Sequence, residues 1–258
     1  MDKVEAQRKH FDAIADVYLK GRSAKNHLAY KQVIWNHVLE RLARFLPARS
    51  PLTGLEAMCG NAEVSARLVN FFPHLTMHAF DLSDAMVKAA ETSQLKRVTT
   101  CRNDLLTFCE EDRYDLAVII GGLHHIPYDV HKGVHNIGNS LKKGGIFLNL
   151  EPTHNNRLWR AVREKIYKDN AIFEENSERA FTLQEYNTCL TANNFRILDQ
   201  FYPGLLGYVL YYNPDAFPAL NIGPPGLARM LAGLDLRLGT GAFGRIFSFA
   251  TWTIAEKI

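Results

Sequence analysis

From about residue 52 the chain alternates short apolar runs with helix-patterned stretches, and this alternation narrows the possible folds more than any other feature. The runs are LTGLEA (52–57), LTMHAF (75–80), RVTTC (97–101), YDLAVII (114–120), GGIFLNL (144–150) and FRILDQF (195–201). Between the first five lie helical patterns around 62–71, 84–92 and 129–141, with an irregular link over 102–113. Strands separated by helices cannot pair as tight hairpins. Each crossover returns the chain parallel to the strand before it, and the helices cover the sheet faces. A mainly parallel α/β sheet is therefore expected.

The flanks add helices and one unusual segment. Phe11, Ile14, Ala15 and Tyr18 recur at helical spacing, as do Val38, Leu39, Leu42, Phe45 and Leu46 before Pro47. LKKGG (141–145) reads as a helix stop, with Gly144 free to turn left-handed. Residues 151–185 form a charged insert with one helix marked by Leu158, Val162 and Ile166, and Thr182 with Glu185 opens another as a capping box. Residues 202–244 are rich in Pro, Gly and aromatics, with Tyr202, Tyr208, Tyr211, Tyr212 and Phe217 in a stretch nearly free of charge. Leu227, Met230, Leu231, Leu234 and Leu238 then share one helical face, and FGRIFSFATWTIAEKI reads as the last strand. The parts make one domain over 1–258. It divides into a helical cap (1–47), a ligand-binding half (52–151), a helical insert (152–194) and the last strands (195–258) around the 202–244 insert.

Composition excludes several classes. With 47% hydrophobic and 22% charged residues the chain can bury a core. Thirty Lys+Arg against 27 Asp+Glu leave only +3, too dispersed for a nucleic-acid binder. Cys59, Cys101, Cys109 and Cys189 form no C-x-x-C pair and read as buried thiols in a reducing compartment. No apolar leader and no run of membrane-spanning length is visible, so a cytoplasmic location is expected.

Ligands of open parallel sheets lie beyond the carboxyl ends of the strands. The first strand runs into LEAMCGNAE, where Gly60 is the single glycine and Met58 and Ala62 hold the other tight positions. A pyrophosphate-binding G-x-G-x-x-G turn is absent, which disfavours a nicotinamide dinucleotide. Asp81 ends the second strand about twenty residues on, at the spacing of a ribose-binding acid. Asn103 and Asp104 follow the third strand, and Gly121, Gly122, Leu123, His124 and His125 follow the fourth. Polar or acidic residues after successive strands suit a nucleoside-sized ligand.

These motifs together resemble the class I S-adenosylmethionine-dependent methyltransferases over roughly residues 10 to 201 plus the last strand. LEAMCGNAE is similar to the family's first motif, FDLSDAM to the second, NDLLTF to the third and YDLAVIIGGLHHI to the fourth. LKKGGIFLNLEPT resembles the entry to strand five, and FDAIADVY the opening of many small-molecule members. The resemblance implies a doubly wound, mainly parallel seven-stranded Rossmann-like sheet with S-adenosyl-L-methionine as cofactor. It also implies roles by position. Glu56 would fix the methionine amino group or the turn itself, with Ala57 and Met58 beside it and Cys59 and Gly60 bringing backbone close. Asp81 would hold the ribose hydroxyls, with Leu82 and Met86 flanking adenine. Asp104 would meet the adenine amino group beside Asn103 and the Leu105 N–H. Gly121 would offer its carbonyl near the sulfonium, and Tyr18 would close over the site. Met58 and Ala62 replace usual glycines and threaten to crowd the pocket.

Among the histidines, His131 and His135 stand i, i+4, but the stretch lacks a metalloprotease glutamate and reads as a polar helix face; no metal is expected. His125 or His124 suits a general base, because a neutral imidazole can take a hydroxyl proton. The equally weighted alternative is loop filler contacting backbone. The expected activity is methyl transfer to a small, largely apolar or aromatic metabolite, with the 202–244 insert as lid or pocket wall, a homodimer contact as the next reading and membrane contact after that. The alternative is a non-catalytic binding or membrane-interaction protein on a degenerate version of the fold.

Overall fold

The computed structural model describes residues 3–47, 50–169 and 179–258. Two helices, α1 (Lys3–Arg22) and α2 (Lys25–Leu42), precede the alternating region. There follow β1 (Leu52–Ala57), α3 (Glu63–Phe71), β2 (Leu75–Asp81), α4 (Asp84–Thr92), β3 (Val98–Arg102), β4 (Tyr114–Ile120), α5 (Val130–Ser140) and β5 (Leu141–Pro152). The remainder is α6 (Arg157–Asp169), α7 (Leu183–Ala192), β6 (Phe195–Phe201), α8 (Leu206–Tyr211), α9 (Pro225–Leu238), α10 (Ala242–Phe247) and β7 (Ala250–Lys257). The seven strands form one sheet in the order β3-β2-β1-β4-β5-β7-β6, parallel except for β7, which runs antiparallel to both its neighbours. Strand order reverses between β1 and β4, so the crevice for a ligand opens at the carboxyl ends of those two strands.

Alternate residues of the central strands feed two cores, as a period of two requires. Leu116 and Val118 of β4 join Met77, Leu148 and Ile254 beneath α2, α3 and α9, while Ala117 and Ile119 join Phe147 and Ala255 beneath α5 and α7. Trp35 of α2 meets Trp252 of β7 edge to face at 5.1 Å, and both are almost fully buried. Each such side chain stabilises the fold by roughly 1.5–3 kcal/mol. No described helix is long and apolar enough to cross a membrane.

Several sequence expectations need correction. Helix α5 stops at Ser140, and Lys142 and Lys143 fall inside β5, where Lys142 pairs with Asp115 at 2.8 Å. Gly144 is left-handed as expected, at φ +78. In α7, Leu183, Tyr186, Cys189 and Leu190 are buried in the second core, so this helix packs against the sheet. Its N-cap Thr182 accepts from the Glu185 N–H, as the capping box requires. The sequence from Ala242 to Phe247 is helix α10, and the last strand starts only at Ala250. Gly244 allows this, because a Cβ there would lie 2.5 Å from the Gly239 Cα. On α9 the buried face is Ala228, Leu231, Ala232 and Asp235, packed against α2, whereas Met230, Leu234 and Leu238 stay exposed. Small residues let the two helices approach. Cys59 and Cys189 are buried, but Cys101 and Cys109 are exposed.

Candidate active site

The turn after β1 carries three residues in the left-handed region, Met58 (φ 56), Gly60 (φ 53) and Ala62 (φ 57). The pattern alternates like three glycines, although two of the side chains are not glycine, and each L-residue there costs roughly 1–2 kcal/mol. Buried hydrogen bonds hold the strained turn. The Cys59 N–H donates to the Phe80 carbonyl at 2.9 Å, tying the turn to β2. Glu56, 2% exposed, accepts from both the backbone N–H and the hydroxyl of Ser65 in α3. Burial pushes its carboxyl up to about 7 despite those bonds. The Met58 side chain packs toward Gly122, and open space faces Gly60, where an added Cβ would have nothing within 4 Å.

Asp81 closes the turn from the end of β2. One carboxylate oxygen accepts the Gly60 N–H at 2.8 Å and the other the Ser83 N–H at 3.0 Å. Burial raises its pKa while these two bonds oppose the shift. A carboxylate offers about four lone-pair sites, so capacity for a diol remains. Helix α1 crosses here, and Asp12 accepts from the Ser83 hydroxyl at 2.6 Å and the Ala85 N–H at 3.2 Å at the start of α4. A carboxylate at a helix N-terminus is favoured by the unpaired N–H groups and the dipole. Gln7 and Phe11 of the same helix reach His125: the Gln7 side-chain amide donates to the His125 backbone carbonyl, and the Phe11 ring meets the imidazole edge to face at 5.0 Å.

Beyond β4, Gly121 is left-handed at φ +65 and the loop to His125 wraps around one carboxylate, Glu151. Glu151 is fully buried at the end of β5 and accepts the backbone N–H groups of Gly122 (3.2 Å), Leu123 (2.9 Å) and His124 (3.2 Å). It also meets the His124 Nδ1 at 3.0 Å and the Asn149 amide at 3.1 Å. A carboxylate has no proton to give, so Nδ1 donates and the imidazole lone pair lies on Nε2. The two histidine rings lie 4.0 Å apart.

A cavity of about 880 Å³ opens over these strand ends. Tyr18, Glu56, Met58, Cys59, Gly60, Asp81, Leu82, Met86, Gly121, His124 and His125 border it. Ala57, Asn103, Asp104 and Leu105 do not. Ala57 is sealed in β1 and Leu105 in the core. Asn103 and Asp104 turn their side chains onto their own loop, accepting the N–H groups of Asp104 (2.8 Å) and Leu106 (2.9 Å). The cavity continues to a wall of Leu205, Tyr208, Tyr212, Phe243 and Phe249, joined by Trp159 of α6. The cavity is thus lined by residues of the 202–244 segment. Arg22 braces it, stacked 4.6 Å over Tyr18 and donating to the Tyr212 carbonyl at 2.7 Å and to Asn213 at 3.0 Å.

Sequence reading missed Glu151, Asp12, Arg22 and α10. Glu151 does follow the fifth apolar run, but its partners stand 27 to 29 residues away and no local pattern joins them. His131 and His135 are exposed beside Asn193 and Asn139. Among the described residues no cluster of three or more histidine, cysteine or acidic side chains could hold a metal ion.

Comparison with known proteins points one way. Residues 55–145 match a family described as a methyltransferase domain. The demethylmenaquinone methyltransferase of Leptospira interrogans is 28% identical over 155 residues, covering 56% of this chain and 59% of the relative. This chain therefore spans about three fifths of that relative's length. A structure described as a candidate sarcosine dimethylglycine methyltransferase from Galdieria sulphuraria superposes with a TM-score of 0.64 at 15% identity, over 88% of this chain and 85% of that one. A phosphoethanolamine N-methyltransferase from Haemonchus contortus, bound to phosphomonomethylethanolamine and S-adenosylhomocysteine, gives 0.63 at 17% identity over 97% of this chain and 59% of that one.

Proposed function

We propose that the chain is a class I S-adenosylmethionine-dependent methyltransferase, as the methyltransferase-domain match and the shared fold support, and that it transfers the methyl group of S-adenosylmethionine to a small, largely apolar or aromatic metabolite. One observation carries the reading: a single cavity joins the Gly60–Asp81 turn to the aromatic wall of the 202–244 segment. At about 880 Å³ it lies near the upper end of ligand pockets, which suits a cofactor and an acceptor together.

The open face at Gly60 and the unused acceptor capacity of Asp81 fit a nucleoside with a ribose diol. In this reading Asp81 binds the ribose hydroxyls, Leu82 and Met86 flank the base, and the Gly121 carbonyl faces the sulfonium. Asn103 and Asp104, one strand further out, brace their own loop rather than face the cavity, and Tyr18 covers the site from α1. When bound, the cofactor supplies an electrophilic methyl group on its sulfonium. Transfer is an in-line displacement, so the protein contributes chiefly orientation and exclusion of water. Tyr208, Tyr212, Phe243 and Trp159 are suited to hold an apolar acceptor and keep water out.

For an oxygen acceptor a base must remove a proton. His124 fits that role better than His125, because Glu151 fixes its tautomer and would stabilise the imidazolium formed when Nε2 takes the proton. His125, beside Phe11 and Asp81, is assigned to packing the ribose side.

The test supplies methyl-labelled S-adenosylmethionine with a panel of apolar phenols, quinols and carboxylic acids. S-adenosylhomocysteine is expected to form in step with label in the organic extract. Methylation confined to polar acceptors would overturn the reading of the aromatic wall.

A further inference from the structure

The cavity has an unusual mouth. Leu206, Val209, Leu234, Leu238, Phe243 and Phe247 all border it, yet remain 39–54% exposed to solvent. Leu158 and Ile246 extend the apolar surface, 65% and 46% exposed, and an Asn156 amide donating to the Ile246 carbonyl at 2.6 Å ties their segments together. Exposed apolar surface of this kind marks an interaction site.

The charges around it select the partner. Over 202–249 the ionised residues are Asp215, Arg229, Asp235, Arg237 and Arg245. Both acids are turned inward. The Asp215 side chain is 3% exposed beside Arg22, and Asp235 is 1% exposed, hydrogen-bonded to the Tyr30 hydroxyl at 3.0 Å. The three arginines are all exposed. Within 202–249 the exposed charges are thus cations alone, and on α6 Glu164 is paired with Arg160. Exposed apolar side chains on a segment whose exposed charge is positive have the composition of a surface that lies on anionic lipid. A second copy of the chain fits worse, since a twofold contact through this patch would bring together two segments whose exposed charges are all arginine.

We propose that the mouth of the cavity docks on an anionic phospholipid bilayer, with α9 and α10 at headgroup depth, so that an apolar acceptor enters from lipid. Docking itself does not depend on the methyl-transfer reading; only the identity of the entering molecule rests on it. Phe243 and Phe247, ring centroids 4.8 Å apart, are the anchors that would reach deepest.

Flotation with vesicles tests this without donor or acceptor. The full chain is expected to float with phosphatidylcholine vesicles containing about a third phosphatidylglycerol, less so as salt rises, and weakly with phosphatidylcholine alone. Changing Arg229, Arg237 and Arg245 together to Gln should weaken binding about a hundredfold, at roughly fivefold for each charge lost. F243S combined with F247S should abolish flotation while the circular dichroism melt stays cooperative. Absence of flotation with the anionic vesicles, or flotation unchanged in both variants, would overturn the proposal. So would a dimer in light scattering that the double serine variant converts to monomer.

Discussion

Glu151→Gln separates a tuned histidine from a passive one. Glutamine keeps the shape but replaces one acceptor oxygen with an amide that only donates. If the retained oxygen keeps the Gly122, Leu123 and Asn149 donors, the new NH₂ faces the His124 N–H and Nδ1. The backbone N–H then loses its acceptor, at about 1–3 kcal/mol for a buried donor. With a denaturant slope of about 2–3 kcal/mol per molar, a 2 kcal/mol loss lowers the urea midpoint by roughly 0.7–1 M. The imidazole can answer by moving its proton to Nε2, so that Nδ1 accepts from the amide and Nε2 is no longer a base. A comparable tautomer change in the serine-protease triad lowers turnover about 10⁴-fold. The assay is nitrogen-15 NMR of histidine-labelled protein, with methyl transfer to an oxygen acceptor measured alongside. The protonated nitrogen should switch from Nδ1 to Nε2 while turnover falls by at least about a hundredfold. An unchanged tautomer with full turnover would refute the role of the pair.

Other expectations follow from the same geometry. Asp81→Ala removes the diol acceptor and should weaken S-adenosylhomocysteine binding by about a hundredfold or more in calorimetry, since hydrogen bonds to a charged group are worth about 1.5–3 kcal/mol each; unchanged affinity would exclude the ribose contact. Ala62→Gly relieves a left-handed alanine at φ 57 and should raise stability by about 1 kcal/mol in urea unfolding, whereas a loss would show the alanine to be unstrained. Glu56, raised from 4.5 to about 7, holds a proton in the folded state that the unfolded state releases. Its contribution to stability therefore falls as pH rises through that window, by about 3 kcal/mol. Urea unfolding of the parent and Glu56→Gln at either end of the window should show this slope in the parent only.

How much of this was legible in the sequence depended on range. β1, β4 and β6 were readable to the residue because their apolar runs end at turn residues. β1 and β4, buried between parallel neighbours, need no partner-specific pattern, whereas β6 is a half-exposed edge strand antiparallel to β7. The strand-end residues were readable for the same reason, since topology alone brings Gly60, Asp81 and Gly121 to one crevice. What failed depended on contacts between distant segments. Phe243–Phe247 look like strand because they are aromatic, yet Gly244 packed on Gly239 lets them coil as α10. The leucines of α9 share one helical face in the sequence, but which residues meet α2 was not readable there: Ala228, Leu231 and Ala232 are buried, while Leu234 and Leu238 border the cavity. Met58 and Ala62, which in the sequence threatened to crowd the pocket, take left-handed conformations that keep the glycine-like path of the turn, with the cost carried as local strain.

The central claim is that the Gly60–Asp81 crevice binds an adenosyl cofactor of methyl transfer. Calorimetric titration of the purified protein with S-adenosylmethionine, S-adenosylhomocysteine and NAD tests it most directly. One-to-one binding of the first two in the micromolar range, with none of the third, is the result expected here. Binding of NAD alone, or of none of the three, would contradict it.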